Sequence, residues 1–137
     1  MANKELIQGL NDQMNREVTT FLRYMLQAAS IRGAEYEAVR EMYLEEVTDE
    51  VGHAQYLANQ ISLLGGTPKL DPDLTPPPSN VMEMLKRDAE AEQEDVKHYS
   101  HLAELAGEEG LMHLKLHLED QAADEGAHGQ EMRRLMG

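Results

Sequence analysis

Two pairs of residues in this sequence have the types and the spacing to hold metal ions. Glu50 precedes His53 by three residues, and Glu125 precedes His128 in the same way, 75 residues later. On an α-helix, positions i and i+3 lie on one face, so each pair directs a carboxylate and an imidazole toward one point. Two such pairs, each joined by a glutamate from another helix, form the ligand set of a di-metal carboxylate site in a four-helix bundle.

Four stretches of helical periodicity can position these residues. Apolar residues recur at spacings of three and four over about residues 3–32, 35–64, 80–106 and 111–136, which is the period of an amphipathic helix. Glu17 lies on the apolar stripe of the first stretch and Glu92 on that of the third. A carboxylate on such a stripe is either unfavourably placed or has a cation to bind. The sequence therefore predicts an all-α four-helix bundle in which Glu17 and Glu92 supply the two further carboxylates.

The segment between the second and third stretches differs in composition. All five prolines lie between residues 67 and 80, and proline is incompatible with a helix interior. An extended segment of this length can run along a bundle, so we expect one long crossover that joins two helical hairpins within a single domain of residues 1–137. The alternative is a linker between two separate hairpins, although neither hairpin alone could bury its acidic stripe.

A shift of 75 residues superimposes the two halves of the sequence. It carries Glu17 onto Glu92 and the first Glu-x-x-His pair onto the second. It also aligns Tyr24 with Tyr99 and Asp49 with Asp124. Unrelated acidic helices would not keep so many polar positions in step. We therefore predict an internal repeat of two hairpins about a pseudo-twofold axis that passes between two metals.

Composition and charge exclude several classes of function. The 137 residues include 12 Lys and Arg against 26 Asp and Glu, a net charge of -14, which nucleic-acid phosphates would repel. The sequence has no cysteine, which excludes thiolate metal sites and disulfides. No apolar run is long enough to span a membrane, and the N-terminus lacks a signal segment. We expect a cytoplasmic protein without a nucleic-acid or membrane partner.

These motifs resemble the ferritin-like superfamily, and most closely its bacterioferritin-like di-iron carboxylate proteins. The resemblance extends over nearly the whole chain and implies two iron ions as cofactors, with manganese as an alternative. It implies terminal ligands, bridging ligands and nitrogen ligands, one of each kind from each half: Glu17 and Glu92, Glu50 and Glu125, His53 and His128.

The sequence departs from the bacterioferritin pattern in two ways. Bacterioferritins place a haem-binding methionine directly after the bridging glutamate of the second helix, and Val51 stands there, so haem is not expected. The sequence given ends soon after the fourth helical stretch, so a fifth helix of the kind found in 24-subunit cages is not expected. Ferritin-like subunits often pair antiparallel, so the resemblance implies a homo-oligomer that is at least a dimer.

Further residues are expected around the metals. Asp49 and Asp124 are predicted to orient histidine ligands from partner helices, the alternative being exposed acids. Tyr24 and Tyr99 are predicted to hydrogen-bond the carboxylates, the alternative being core aromatics.

Two additional acids, Glu46 and Asp95, lie near the expected ligands in the sequence. Glu46 lies one turn before Glu50 and is either part of a cation entry path or solvated. Asp95 lies where peroxide-reducing rubrerythrins carry an extra carboxylate, and we expect it to be a polar neighbour of the site rather than a ligand. The remaining histidines are predicted to occupy exposed helix positions: His98, His101, His113 and His117.

Three functions agree with this sequence. The first is a ferroxidase that oxidises Fe(II) with O₂ or H₂O₂ and serves iron storage or detoxification. The second is a peroxide-removing enzyme of the rubrerythrin or manganese-catalase type. A rubrerythrin-type enzyme would need an external reductant, because a chain without cysteine lacks the built-in rubredoxin electron donor. The third is a helical bundle that binds metal without catalysis.

Overall fold

Four long α-helices make up most of the computed structural model, which describes residues 3–137. The helices are α1 (Lys4–Ser30), α2 (Glu37–Leu63), α3 (Val81–Glu108) and α4 (Met112–Met136). A 3-10 turn at Ala34–Tyr36 leads into α2, and the described residues include no strand. The all-α prediction is confirmed, and the helix ends fall within a few residues of those expected.

Local signals in the sequence explain where the helices begin and end. Asn3 and Asn80 cap α1 and α3, because their side-chain oxygens accept hydrogen bonds from the amides of Glu5 and Glu83. Past the end of α2, Gly65 has a φ of 89°. That left-handed conformation suits glycine and lets the amide of the next residue, Gly66, bond to the carbonyl of Ile61 at 2.9 Å.

The buried apolar residues form two clusters, one on either side of the middle of the bundle. One contains Leu6 and Leu10 from the start of α1, packed with residues from the end of α2 and from α3 and α4. The other contains Tyr24 and Ala28 from the end of α1, packed with residues from the start of α2 and α3. Glu17 lies between these two regions of α1. The middle of the bundle is therefore the place where polar side chains are enclosed between two apolar regions.

The crossover between α2 and α3 is attached to one edge of α1. The side chains of Asn11, Asn15 and Thr19 exchange hydrogen bonds of 2.6–3.2 Å with backbone groups of the crossover. The crossover groups that they contact belong to alternate residues: Thr67, Lys69, Asp71 and Asp73. Residue numbers rise together along both segments, so the crossover runs parallel to α1. Within residues 3–137, no helix is long and apolar enough to cross a membrane.

Candidate metal centre

Buried acids and histidines from all four helices meet in the middle of the bundle. Two groups combine glutamates with a histidine, and in each of them potential ligand atoms lie within 4.8 Å of one another. We call the first group the first metal position: Glu17, Glu50, His53 and Glu125. We call the second group the second metal position: Glu46, Glu50, Glu92 and His128. The structure brings together all six residues that the resemblance implied as ligands, and it adds Glu46.

Glu50 is shared by the two positions. Its Oε2 atom lies 3.7 Å from Nδ1 of His53, and its Oε1 atom lies 3.8 Å from Nδ1 of His128. One carboxylate oxygen thus faces each histidine, as in a carboxylate that bridges two cations. Glu125 lies beside both positions as well: its Oε1 is 3.4 Å from Nδ1 of His53, and it forms a further cluster with Glu92 and Asp95.

The polar atoms at this centre fit a pair of cations. Four glutamates have at most 1% of their surface exposed: Glu17, Glu50, Glu92 and Glu125. Within the described residues, six of their carboxylate oxygens and Nδ1 of both histidines are buried without a hydrogen-bond partner. Buried charges without partners are strongly destabilising, and cations remove that penalty. Four carboxylates also balance the four positive charges of two divalent ions.

Without metal, the cluster favours bound protons. Burial opposes a charged His53, but Glu125 and Glu17 outweigh it and raise the pKa of His53 to about 10. Burial likewise opposes a charged His128, and Glu46, 2.9 Å away, outweighs it and raises the pKa of that imidazole. Burial and the neighbouring Glu125 raise the pKa of Glu92. Metal binding therefore competes with protons at these groups.

Two buried tyrosines hold the carboxylates across the bundle. The hydroxyl of Tyr24 donates to Oε1 of Glu92 at 2.9 Å, and that of Tyr99 donates to Oε1 of Glu17 at 2.8 Å. Burial raises the pKa of both phenols, so they stay protonated and act as donors. The hydrogen bonds expected from the repeat are present, and each tyrosine reaches the glutamate of the other hairpin.

Asp49 and Asp124 do not meet the expectation that they orient histidines. Both are exposed, and neither hydrogen-bonds a histidine in the part of the chain that the structure describes. The reason is geometric. Each precedes its glutamate by one residue, which is a rotation of about 100° around the helix axis, so it leaves the face that points into the bundle.

Asp95 is buried at the edge of the centre, with 2% of its surface exposed. Its Oδ1 accepts from Nε of Arg16 at 2.6 Å and from Nε2 of Gln13 at 3.3 Å. Burial and the nearby Glu17, partly offset by Arg16, raise the pKa of Asp95 to about 7. Its position agrees with a polar neighbour of the site.

Several polar residues near the centre were not anticipated. Gln13 is fully buried beside Glu17, and its repeat equivalent Asp88 is buried on α3. Asp88 accepts hydrogen bonds from Gln27 at 2.8 Å and from Tyr43 at 2.6 Å. The sequence did contain a signal, because positions 13 and 88 are polar residues four before Glu17 and Glu92 on the same apolar stripes.

Two of the remaining histidines are not fully exposed as predicted. His98 is half-buried because its ring packs against α1, where Nδ1 lies 2.6 Å from the side-chain oxygen of Gln13. His117 is half-buried because it stacks on Tyr56, with 3.5 Å between the ring centroids. His101 and His113 are exposed as expected.

Comparisons with known proteins agree with this architecture. The family model for the ferritin-like domain matches residues 7–137. A crystal structure of ferritin-like, diiron-carboxylate proteins from Bacillus anthracis is 36% identical, with a TM-score of 0.93 over 98% of this chain and 96% of that one. The Desulfovibrio desulfuricans bacterioferritin is 23% identical with a TM-score of 0.87, over 96% of this chain and 78% of that one, and supports the fold.

A curated relative extends the comparison. A bacterial non-heme ferritin from Staphylococcus aureus is 28% identical over 91% of this chain and 79% of its own length. The prediction of a ferritin-like four-helix bundle with one long crossover is thereby confirmed. The chain belongs to the ferritin-like domain family.

Proposed function

We propose that this protein is a di-iron ferroxidase, which oxidises Fe(II) to Fe(III) with O₂ or H₂O₂ in the service of iron storage or detoxification. The observation that supports it best is the cluster of four buried glutamates and two half-buried histidines whose unpartnered oxygen and nitrogen atoms face one another. Ligation by four carboxylates and one imidazole per metal suits iron, and also manganese, on ligand type.

The chain's own residues have distinct parts in this proposal. Glu17 and His53 would hold one ion, and Glu92 and His128 would hold the other. Glu50 and Glu125, which lie beside both positions, would serve both ions. Each Fe(II) bound there would give up one electron, with O₂ or H₂O₂ as the electron acceptor. Tyr24 and Tyr99 keep the terminal carboxylates oriented through hydrogen bonds of 2.9 and 2.8 Å. The apolar clusters on both sides would restrict the access of water to bound ions.

The proposal is tested by removing one ligand. His53→Ala should lower the initial rate of Fe(II) oxidation by at least about 100-fold, on the order of 3 kcal/mol, because one ion loses its only nitrogen ligand. Stopped-flow absorbance of Fe(III) formation measures the rate. His101→Ala, at an exposed position, is the matched control and should retain the wild-type rate. A His53→Ala protein that oxidises iron as fast as wild type would refute the proposal.

A second candidate is a peroxide-removing enzyme, and the observation that favours it is Asp95. Asp95 is buried beside Glu92 and Glu125. Its position in the sequence is the one at which rubrerythrins carry an additional acid. Peroxide consumption with an added reductant and no accumulation of Fe(III) would favour this candidate. Stoichiometric Fe(III) formation that ends in a mineral would favour the ferroxidase.

The relatives also bear on assembly. The similarity to bacterial ferritin and bacterioferritin supports a homo-oligomer that is at least a dimer. Analytical ultracentrifugation of the purified chain distinguishes a monomer, a dimer and a cage.

A further inference from the structure

Glu17 and Glu92 are repeat equivalents, but their hydrogen bonds differ. We propose that Gln13 and His98 are positioning residues that make Glu17 bind metal through one oxygen, so that the first metal position is the weaker of the two. This inference rests on the metal centre proposed above and adds an inequality between its halves.

The two oxygens of Glu17 have different surroundings. Oε1 accepts hydrogen bonds from Tyr99 and from Nε2 of Gln13, both at 2.8 Å. Oε2 has no hydrogen-bond partner within residues 3–137 and lies 3.6 Å from Nδ1 of His53. Two donors occupy both lone pairs of Oε1. Oε2 is then the atom available to a cation.

Glu92 has fewer such restraints. Its Oε1 accepts from Tyr24 at 2.9 Å, and in the described chain its Oε2 has no partner. The repeat equivalent of Gln13 is Asp88, whose carboxylate has no N–H group to donate. Asp88 instead accepts from Gln27 and Tyr43. Glu92 therefore keeps lone pairs on both oxygens and can bind a cation through both.

His98 sets the orientation of the Gln13 amide. Nδ1 of His98 lies 2.6 Å from Oε1 of Gln13, and because a carbonyl oxygen only accepts, the ring donates from Nδ1. The NH₂ group of Gln13 then points toward Glu17 and Asp95. A flipped amide would bring its oxygen against two carboxylates. Gln13 is fully buried, so water does not replace these contacts.

Charge adds to the inequality. Oε2 of Glu46 lies 2.9 Å from Nδ1 of His128. The repeat equivalent of Glu46 is Gln121, which carries no charge. The second metal position has more negative charge around it and a terminal ligand free to chelate. It should therefore bind a divalent ion more tightly.

Cobalt(II) and zinc(II) test this without any turnover. Titration of metal-free protein with Co(II), followed by visible absorption, should show two binding steps of unequal affinity. In Gln13→Leu, Glu17 gains a free lone pair on Oε1, so the ratio of the two affinities should fall about tenfold. Infrared spectra of the Zn(II)-loaded protein should show a one-oxygen carboxylate component in wild type that Gln13→Leu loses.

A pair of His98 variants separates positioning from a general structural effect. His98→Leu removes the donor to Gln13 and should reproduce part of the Gln13→Leu change. His98→Gln keeps an N–H donor and should restore the wild-type infrared spectrum. His98 is only half-buried, so its variants remain informative if Gln13→Leu fails to fold.

The possible failures are distinguishable. Unchanged affinity ratios and infrared spectra in Gln13→Leu and His98→Leu, with two Co(II) ions still bound, would refute the positioning role alone. A wild-type protein that binds Co(II) at neither position would refute the metal centre and this inference with it.

Discussion

The two metal positions contain the same repeated ligands, but their neighbours differ. Around the second position, Glu46 contacts His128 and Asp95 lies beside Glu92. The equivalent residues near the first position are Gln121, which contacts His117, and Thr20. The comparison indicates that the repeat preserves the residues that would contact the metals. The residues around them differ, and they would set the metal affinity of each position.

The difference also appears in where protons reside without metal. Near the second position, the carboxyl groups of Glu92 and Asp95 have raised pKa values because they are buried among other acids. The imidazoles of both positions, His53 and His128, have raised pKa values as well. The second position therefore keeps protons on acids in addition to its imidazole.

The largest effect should appear in the stability of the metal-free protein. Asp95 has a pKa of about 7 in the folded protein and an ordinary value of 3.8, so the folded state holds a proton that the unfolded chain has released between these values. Stability should fall as pH rises through this window, by about 2 kcal/mol between pH 5 and 7 from Asp95. Thermal unfolding in the presence of a chelator measures it.

The repeat provides the control for that experiment. Asp95→Asn should flatten the decline between pH 5 and 7, whereas Thr20→Val, at the equivalent position, should leave its slope intact. Above pH 7 a further decline should persist in both variants, because His53 keeps its proton up to about pH 10. Equal slopes in wild type and Asp95→Asn would contradict the assignment.

An intermediate effect should follow from substitutions at Glu46 and at its repeat equivalent, Gln121. Glu46→Gln removes the carboxylate next to His128 and should weaken Co(II) binding at the second position about tenfold, roughly 1.4 kcal/mol. Gln121→Glu places an acid at the equivalent position and should strengthen binding at the first. Isothermal titration of both variants measures the change. If Glu46→Gln leaves both steps unchanged, Glu46 is not part of the second position.

The smallest effect should come from the tyrosines. Tyr24→Phe removes the one hydrogen-bond donor that residues 3–137 provide to Glu92, whereas Tyr99→Phe leaves Glu17 with its bond to Gln13. Each substitution should change Co(II) affinity by about 1 kcal/mol or less, and the change should be larger for Tyr24→Phe. A larger change in Tyr99→Phe would argue against the unequal support of the two glutamates.

Much of this architecture could be predicted from the sequence because it depends on periodicity. Apolar spacing identified four helices, and the 75-residue shift indicated that Glu17, Glu50, Glu92 and Glu125 would converge with the two histidines. The i to i+3 relation within one helix needs no knowledge of other helices. The five prolines identified the crossover for an equally local reason.

The contacts between helices could not be predicted in the same way. They depend on how each helix is rotated about its own axis, which periodicity gives only coarsely. Glu46 has nearly the heading of Glu50, but its 2.9 Å contact with His128 requires the observed packing of α2 against α4. The contact of His98 with Gln13 likewise requires the observed packing of α1 against α3. Asp49 and Asp124 were misplaced because one residue of helix turns a side chain away from the interior.

The attachment of the crossover to α1 restricts how its length can vary. Four residues of α-helix rise about 6 Å, and two residues of extended chain span about 6.6 Å, so Asn11, Asn15 and Thr19 reach alternate crossover residues in register. An insertion of one residue would turn the bonded edge of the extended chain away from α1. An insertion of two would restore it. The crossover should therefore tolerate insertions of an even number of residues better than insertions of an odd number.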